Sequence, residues 1–256
     1  MIEREFPILE FDEVRNALIR PENIITPIDI AEKCVLCFFP EAIEKILNEY
    51  PNRVVANFRT SEAYRRSIYE LDYEKEKILL IQAGVGAPIA AAQIEELTVY
   101  GCKKYIACGA CGVLQKEIAV GHLIIPTSAV RDEDTSYHYI KPSREIFANE
   151  RVVQVIENLF IERKIPYIKA KTWTTDAAYR ETPLKIQQRK KENCVTVEME
   201  TSAYIAVSQY NNVEFGQILY AGDNLDGETW DSRKYNSRTD IRELVLRLAL
   251  DACLKL

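Results

Sequence analysis

An α/β layered fold is what this 256-residue sequence predicts, and three observations predict it. Apolar runs of strand length alternate with stretches of helical periodicity. Glycine and proline punctuate the changeovers. No repeat, linker or low-complexity tract interrupts the rhythm, so one domain spanning 1–256 is the economical assignment.

Taken in order, the first strand is expected over 33–39, and Pro40 suits the first position of a helix over 40–50. Strands follow at 53–57 and 77–83. A helix over 87–100 would end on Gly101, which suits a C-cap. Strands at 104–108 and 123–130 precede a helix over 143–163. A strand at 167–173, a helix at 183–192, a strand at 195–197 and a helix at 200–210 come next. A strand at 214–221 and a helix over 235–256 close the chain. The segment 126–142, rich in charge and tyrosine, is longer than an ordinary connection and is a candidate functional loop.

Composition excludes several classes. With 33 basic and 39 acidic residues the formal charge is −6, without a strongly basic block, so nucleic acid is not an expected partner. The longest apolar runs fall far short of the roughly 20 residues that span a bilayer. The N-terminus, Met1-Ile2-Glu3-Arg4-Glu5, lacks a signal-peptide pattern, so a soluble, cytoplasmic protein with no membrane partner is expected. Seven cysteines, an odd number, fit a reducing compartment. Cys34 and Cys37 form one CxxC pair and Cys108 and Cys111 another. Residues three apart on an apolar strand face opposite ways, so buried free thiols are expected rather than zinc. His122 and His138 are too few for a metal site or a serine triad. His122 reads as structural and His138 as a candidate pocket residue.

Chemistry concentrates at the ends of expected strands, outside which open α/β sheets bind ligands. In Val197-Glu198-Met199-Glu200, an apolar strand turns into a helix carrying two carboxylates and a thioether. A carboxylate there can accept two hydrogen bonds from a vicinal diol such as a ribose, with methionine against the apolar side of the sugar. Acids opening a helix would equally suit its macrodipole. Gln82-Ala83-Gly84-Val85-Gly86 and Cys108-Gly109-Ala110-Cys111-Gly112 read as glycine turns after strands, either a pocket floor whose amides cradle an anion or plain tight turns. The first lacks the third glycine and the following acid of a dinucleotide fingerprint. Asp223 follows another apolar strand, where a carboxyl would be placed to protonate a leaving group or to form an Asx turn.

Together these residues resemble the nucleoside phosphorylase and nucleosidase superfamily, which includes purine nucleoside phosphorylase, uridine phosphorylase and methylthioadenosine nucleosidase. The resemblance runs from about Lys33 to the C-terminus. Its most specific parts are Val197-Glu198-Met199-Glu200, the stretches 108–114 and 120–126, and the block 130–139. It implies a three-layer α/β/α sandwich around a large mixed sheet, a homo-oligomer built from dimers, and cleavage of a ribosyl N-glycosidic bond without a cofactor or metal. By resemblance Glu200 would hold the ribose hydroxyls, Met199 would pack on the sugar, and Val197 and Glu198 would flank the base. Asp223 matches the carboxyl that purine-type members use to protonate the departing base, which favours a purine. Tyr179 would stack on the base.

The departures lie on the nucleophile side. The family's phosphate-binding arginines align with Ala42 and Ala107, and a hydroxyl residue aligns with Ala110. Arg59 matches an arginine given across the dimer interface, leaving Arg59, Gly84, Gly109 and Ala110 as the remaining phosphate candidates, with Arg65, Arg66 or Lys33 as substitutes. Desolvating a phosphate dianion without paired cations is costly. Three readings follow. The first, ranked ahead, is a purine-type nucleoside phosphorylase with phosphate as nucleophile. The second is a nucleosidase in which water attacks and Glu41 or Glu44 is the base. The third is a nucleoside-binding protein without catalysis.

Overall fold

The computed structural model describes residues 3–59 and 66–256, and a sheet of 10 strands runs through them. The strands are β1 (Lys33–Cys37), β2 (Asn52–Asn57), β3 (Ser67–Tyr73), β4 (Glu76–Gln82), β5 (Lys104–Val113), β6 (Leu123–Asp132), β7 (Glu145–Phe147), β8 (Tyr167–Thr175), β9 (Cys194–Glu198) and β10 (Glu214–Asn224). The helices are α1 (Pro40–Glu49), α2 (Ala87–Tyr100), α3 (Glu150–Glu162), α4 (Pro183–Lys191), α5 (Thr201–Asn211) and α6 (Thr239–Leu254).

Strand β5 is the pivot of the sheet. On one side it pairs in parallel with β1, and the order continues through β4 and β3 to β2 as an open sheet. On the other side it pairs in parallel with β10, and β10, β6, β8 and β9 lead back to β5 and close a ring. Parallel strands need cover on both faces. Helices α1, α3 and α6 cover one face through Ile46, Ile156, Phe160 and Leu248. Helices α2 and α5 cover the other through Ile94, Leu97, Tyr204 and Val207. The chain thus builds the expected three layers around a mixed sheet.

The differences from the sequence reading have local causes. Strand β3 was not expected, because the hairpin joining it to β4 turns at Glu74 and Lys75. Both are left-handed, at φ 47° and 70°, without the glycine that usually marks such a turn. The helix expected over 143–163 loses its first turns to β7, which pairs with β6, and α3 starts after Asn149 caps Val152 N–H. The stretch 235–256 breaks at Arg238, whose φ of −88° and ψ of 61° separate a single turn at Tyr235–Ser237 from α6, which begins at Thr239. The glycines 109–112 form no turn: β5 runs straight through them to Val113. They are needed for close approach, since a Cβ on Gly112 would lie 2.5 Å from Leu225 Cδ1 and 3.0 Å from Val197 Cγ1. All seven cysteines are buried free thiols.

Candidate functional site

The C-terminal ends of β1, β5, β9 and β10 surround a cleft of about 370 Å³. Phe38, Gly109, Ala110, Val197, Met199, Glu200, Gln217 and Asp223 line it, with Glu181 and Arg242. The sequence-predicted sugar and leaving-group residues are therefore brought together. A second cavity of about 430 Å³ lies between the N-terminal segment and α2 and α5, lined by Arg15, Glu95, Tyr139 and Tyr210. It contains none of the strand-end carboxylates, so the first cleft is the candidate site.

The junction of β9 and α5 divides its two carboxylates between different tasks. Glu198 Oε2 accepts from the backbone N–H of Glu200 at 2.7 Å and of Thr201 at 2.6 Å, while its Oε1 accepts from Thr174 Oγ1 at 2.6 Å. These bonds satisfy otherwise open amides at the start of α5. Glu198, expected to flank the base, lines the cleft, with one oxygen on the start of α5 and the other on Thr174 of β8. Burial raises its pKa above the ordinary carboxylate value. Glu200, by contrast, sits at the N-cap with one oxygen taken, by Gly86 N–H at 2.6 Å. Burial and the nearby Glu198 push its pKa up to about 8.

This bond also settles the fate of the first glycine turn. Its Gly86 amide is used by Glu200, and its Gly84 amide donates to Gln93 Oε1 at 3.0 Å. Gly84 itself is buried, and a Cβ there would lie 2.0 Å from Ile89 Cγ2, so packing against α2 explains the residue. The Gly86 amide of the turn is thus occupied by the protein's own carboxyl group.

At the other end, Asp223 Oδ2 accepts from Trp230 Nε1 at 2.6 Å. Glu181, which sequence reasoning missed, lines the same end with no side-chain partner among the described residues. Burial, then the charge of Asp223, raises its pKa to about 7. Arg242 was also missed. Its guanidinium donates to Glu41 at 2.7 Å and to Tyr220 Oη at 3.1 Å, and lies 5.0 Å from the Phe39 ring centre.

Several expected residues lie elsewhere. Tyr179 is fully exposed and does not line the cleft; the neighbouring Ala178 does. Arg59 is exposed and outside the cleft, with its backbone N–H on Glu96. Arg66 donates to the carbonyls of Gln82 and Ala83, and Lys33 to Glu76 and Leu254 O. Arg65 lies outside the described residues. Ala42 and Ala107 are buried in two separate clusters on opposite faces of the sheet. Of the two base candidates for a water mechanism, Glu41 is paired with Arg242 and Glu44 is exposed outside the cleft. His138 lines the second cavity. The candidate loop at 126–142 braces rather than lines the site. Buried Arg131 gathers Ser136, Ile140, Lys141 and Ser143, and Glu133 accepts from Ser202 Oγ at 2.8 Å.

Residues 32–254 match the Phosphorylase superfamily, and the chain belongs to that family. Among similar proteins, a purine nucleoside phosphorylase of Plasmodium falciparum is 27% identical over 226 residues, covering 85% of this chain and 88% of the relative. The fold is shared with purine nucleoside phosphorylase from Toxoplasma gondii, at a TM-score of 0.76 and 22% identity over 93% of this chain and 94% of that one. It is also shared with AMP nucleosidase from Bacteroides thetaiotaomicron, at a TM-score of 0.70 and 22% identity over 88% and 87%.

Proposed function

We propose that this protein is a nucleoside phosphorylase-like enzyme that cleaves the bond between ribose and a purine base. The observation that carries the reading is the convergence of Asp223, Glu200 and Met199 in one cleft at the strand ends. Glu200, ionised, accepts from the ribose hydroxyls with its free oxygen, and Met199 packs on the sugar. Asp223 gives a proton to the departing base as the C1′–N bond breaks, and Glu181 shares that end of the cleft with it. Protonating the base makes it a better leaving group as positive charge builds on the sugar. Phosphate is the expected acceptor, in keeping with the names of the relatives. The chain acts as one domain, in a cytoplasmic homo-oligomer built from dimers.

A second reading, hydrolysis, is favoured by one feature. Among the described residues that line the cleft, Arg242 is already paired with Glu41, whereas Glu181, Glu198, Glu200 and Asp223 contribute carboxyls. A dianion gains little from such surroundings, and water loses nothing. The test is to incubate the protein with inosine, adenosine, uridine and methylthioadenosine, with and without phosphate, and to measure free base. Purine release that requires phosphate supports phosphorolysis, and equal release without it supports hydrolysis. Nucleoside binding without release would leave a binding protein.

A further inference from the structure

The deep end of the cleft holds a polar group that the expected roles leave unused. Gln217 lies in the middle of β10, is only 3% exposed, and lines the cleft. Its Oε1 accepts from Thr201 Oγ1 at 2.7 Å, which fixes the carboxamide beneath the start of α5. Its Nε2 is buried without a partner. A buried donor left open is rare in native proteins, and in a cleft it points to a ligand that completes it. Small and apolar residues flank it on its own and the neighbouring strand. Gln217 pairs in register with Ala107, whose methyl takes up little of the space beside it. Further along the same strands Gly109 faces Leu219, and a Cβ on Gly109 would lie 3.0 Å from Phe38 Cδ2.

We propose that Gln217 Nε2 holds the oxygen nucleophile that attacks the anomeric carbon. The inference rests on the proposed function. Asp223 lies at the C-terminal end of β10 and Gln217 earlier on that strand, while Glu200 lines the same cleft at the start of α5, where Thr201 tethers Gln217. If the base leaves toward Asp223 and Glu200 holds the sugar, the open amide lies on the side from which an acceptor must come. An amide N–H donates to one oxygen lone pair and leaves another free to attack. As the C1′–N bond breaks, its electron pair leaves with the base, which takes the Asp223 proton, and the held oxygen bonds to C1′. A phosphate oxygen completes this with no further proton transfer. Water must also release a proton, which passes to the Glu200 carboxylate. The shared chemistry is an oxygen acceptor held by a neutral donor, and the phosphate and water arms of the assay separate its two sources.

The experiment compares wild type with Gln217→Met, which keeps length and apolar bulk while removing the amide, and with Gln217→Glu. Purine nucleoside turnover is measured with and without phosphate, and melting temperature checks the fold. The expected result for Gln217→Met is a fall in kcat of about tenfold or more with nucleoside KM nearly unchanged. If turnover needs phosphate, KM for phosphate rises as well and Gln217→Glu is worse than Gln217→Met, because its charge repels the dianion. If turnover needs only water, Gln217→Glu recovers part of the loss by accepting from that water. Thr201→Val leaves the amide but removes its tether. It should lower kcat by a few-fold, and it decides the matter if the Gln217 variants do not fold. An unchanged kcat, or a rise in nucleoside KM alone, would overturn the assignment while leaving the proposed function standing. A wild-type protein that releases no base in either arm would overturn both.

Discussion

The two ends of the cleft are built by different rules. At the Asp223 end, carboxyls crowd together: Glu181 is half-buried beside Asp223, and its proton is held to about pH 7 by burial and by that neighbour. At the Gln217 end, Phe38, Gly109 and Leu219 enclose a single neutral amide. Low-dielectric surroundings make charge expensive, so the charged end can store protons for a leaving group and the neutral end can hold an oxygen without one. Glu200 stands between them. The difference shows that one cleft can crowd carboxyls at a strand end and keep a neutral amide among apolar side chains deeper in.

The largest expected effect breaks the charged end. Asp223→Asn should lower purine nucleoside turnover by about 10³-fold while nucleoside binding persists, measured by steady-state release and by equilibrium binding. Unchanged turnover would remove the proton-donor role. Next, putting a cation back at the neutral end should fail: Ala107→Arg forces a long charged side chain into a fully buried site. A destabilisation of about 3 kcal/mol or more is expected by urea unfolding, and a stable variant with stronger phosphate dependence would show that space for an anion exists.

Glu200→Gln tests the residue between the two ends, and it should cost about 10²-fold in kcat/KM. It also has a stability signature. Folding raises the Glu200 pKa from an ordinary value near 4.5 to about 8. The folded state therefore holds this proton more tightly than the unfolded chain does. The associated stability is full below about pH 4.5 and is lost as pH rises to about 8. Wild type should lose melting temperature across that window relative to Glu200→Gln, and parallel curves would show that Glu200 is not held protonated. Catalysis has the opposite sign: kcat/KM should rise toward pH 8 as Glu200 ionises to accept the sugar hydroxyls. The smallest effect belongs to Glu181→Gln, with about a tenfold loss and removal of an inflection near pH 7 in the rate profile.

Much of the layered fold was legible because it is local. The apolar runs at 33–39 and 104–108, the helix ended by Gly101 and the strand-to-helix junction at Glu198 all follow from periodicity and caps. What escaped was set by partners distant in sequence. Strand β7 exists because the edge of β6 is free to pair, and the glycines 109–112 continue a strand because β10 and β9 lie beside them. Gln217 carried a faint signal, as a lone polar residue within the apolar stretch 215–221. Glu181 carried none, since Arg180-Glu181-Thr182-Pro183 reads as an ordinary approach to a helix.

By itself the sequence determined the family, the alternation of strands and helices, and the positions of Glu200, Met199 and Asp223 at strand ends, because these depend on residue type and spacing along one segment. Only the tertiary structure decided how the carboxylates are used. Amides at the start of α5 and the Thr174 hydroxyl on β8 take both oxygens of Glu198, while Glu200 has one oxygen on Gly86 N–H. It likewise decided that the Gly86 amide of the first glycine turn bonds Glu200, and that an open amide lies beside Ala107. The physical reason is that spacing fixes where a polar group stands on its own element, whereas its remaining hydrogen-bond capacity depends on every group that packs against it.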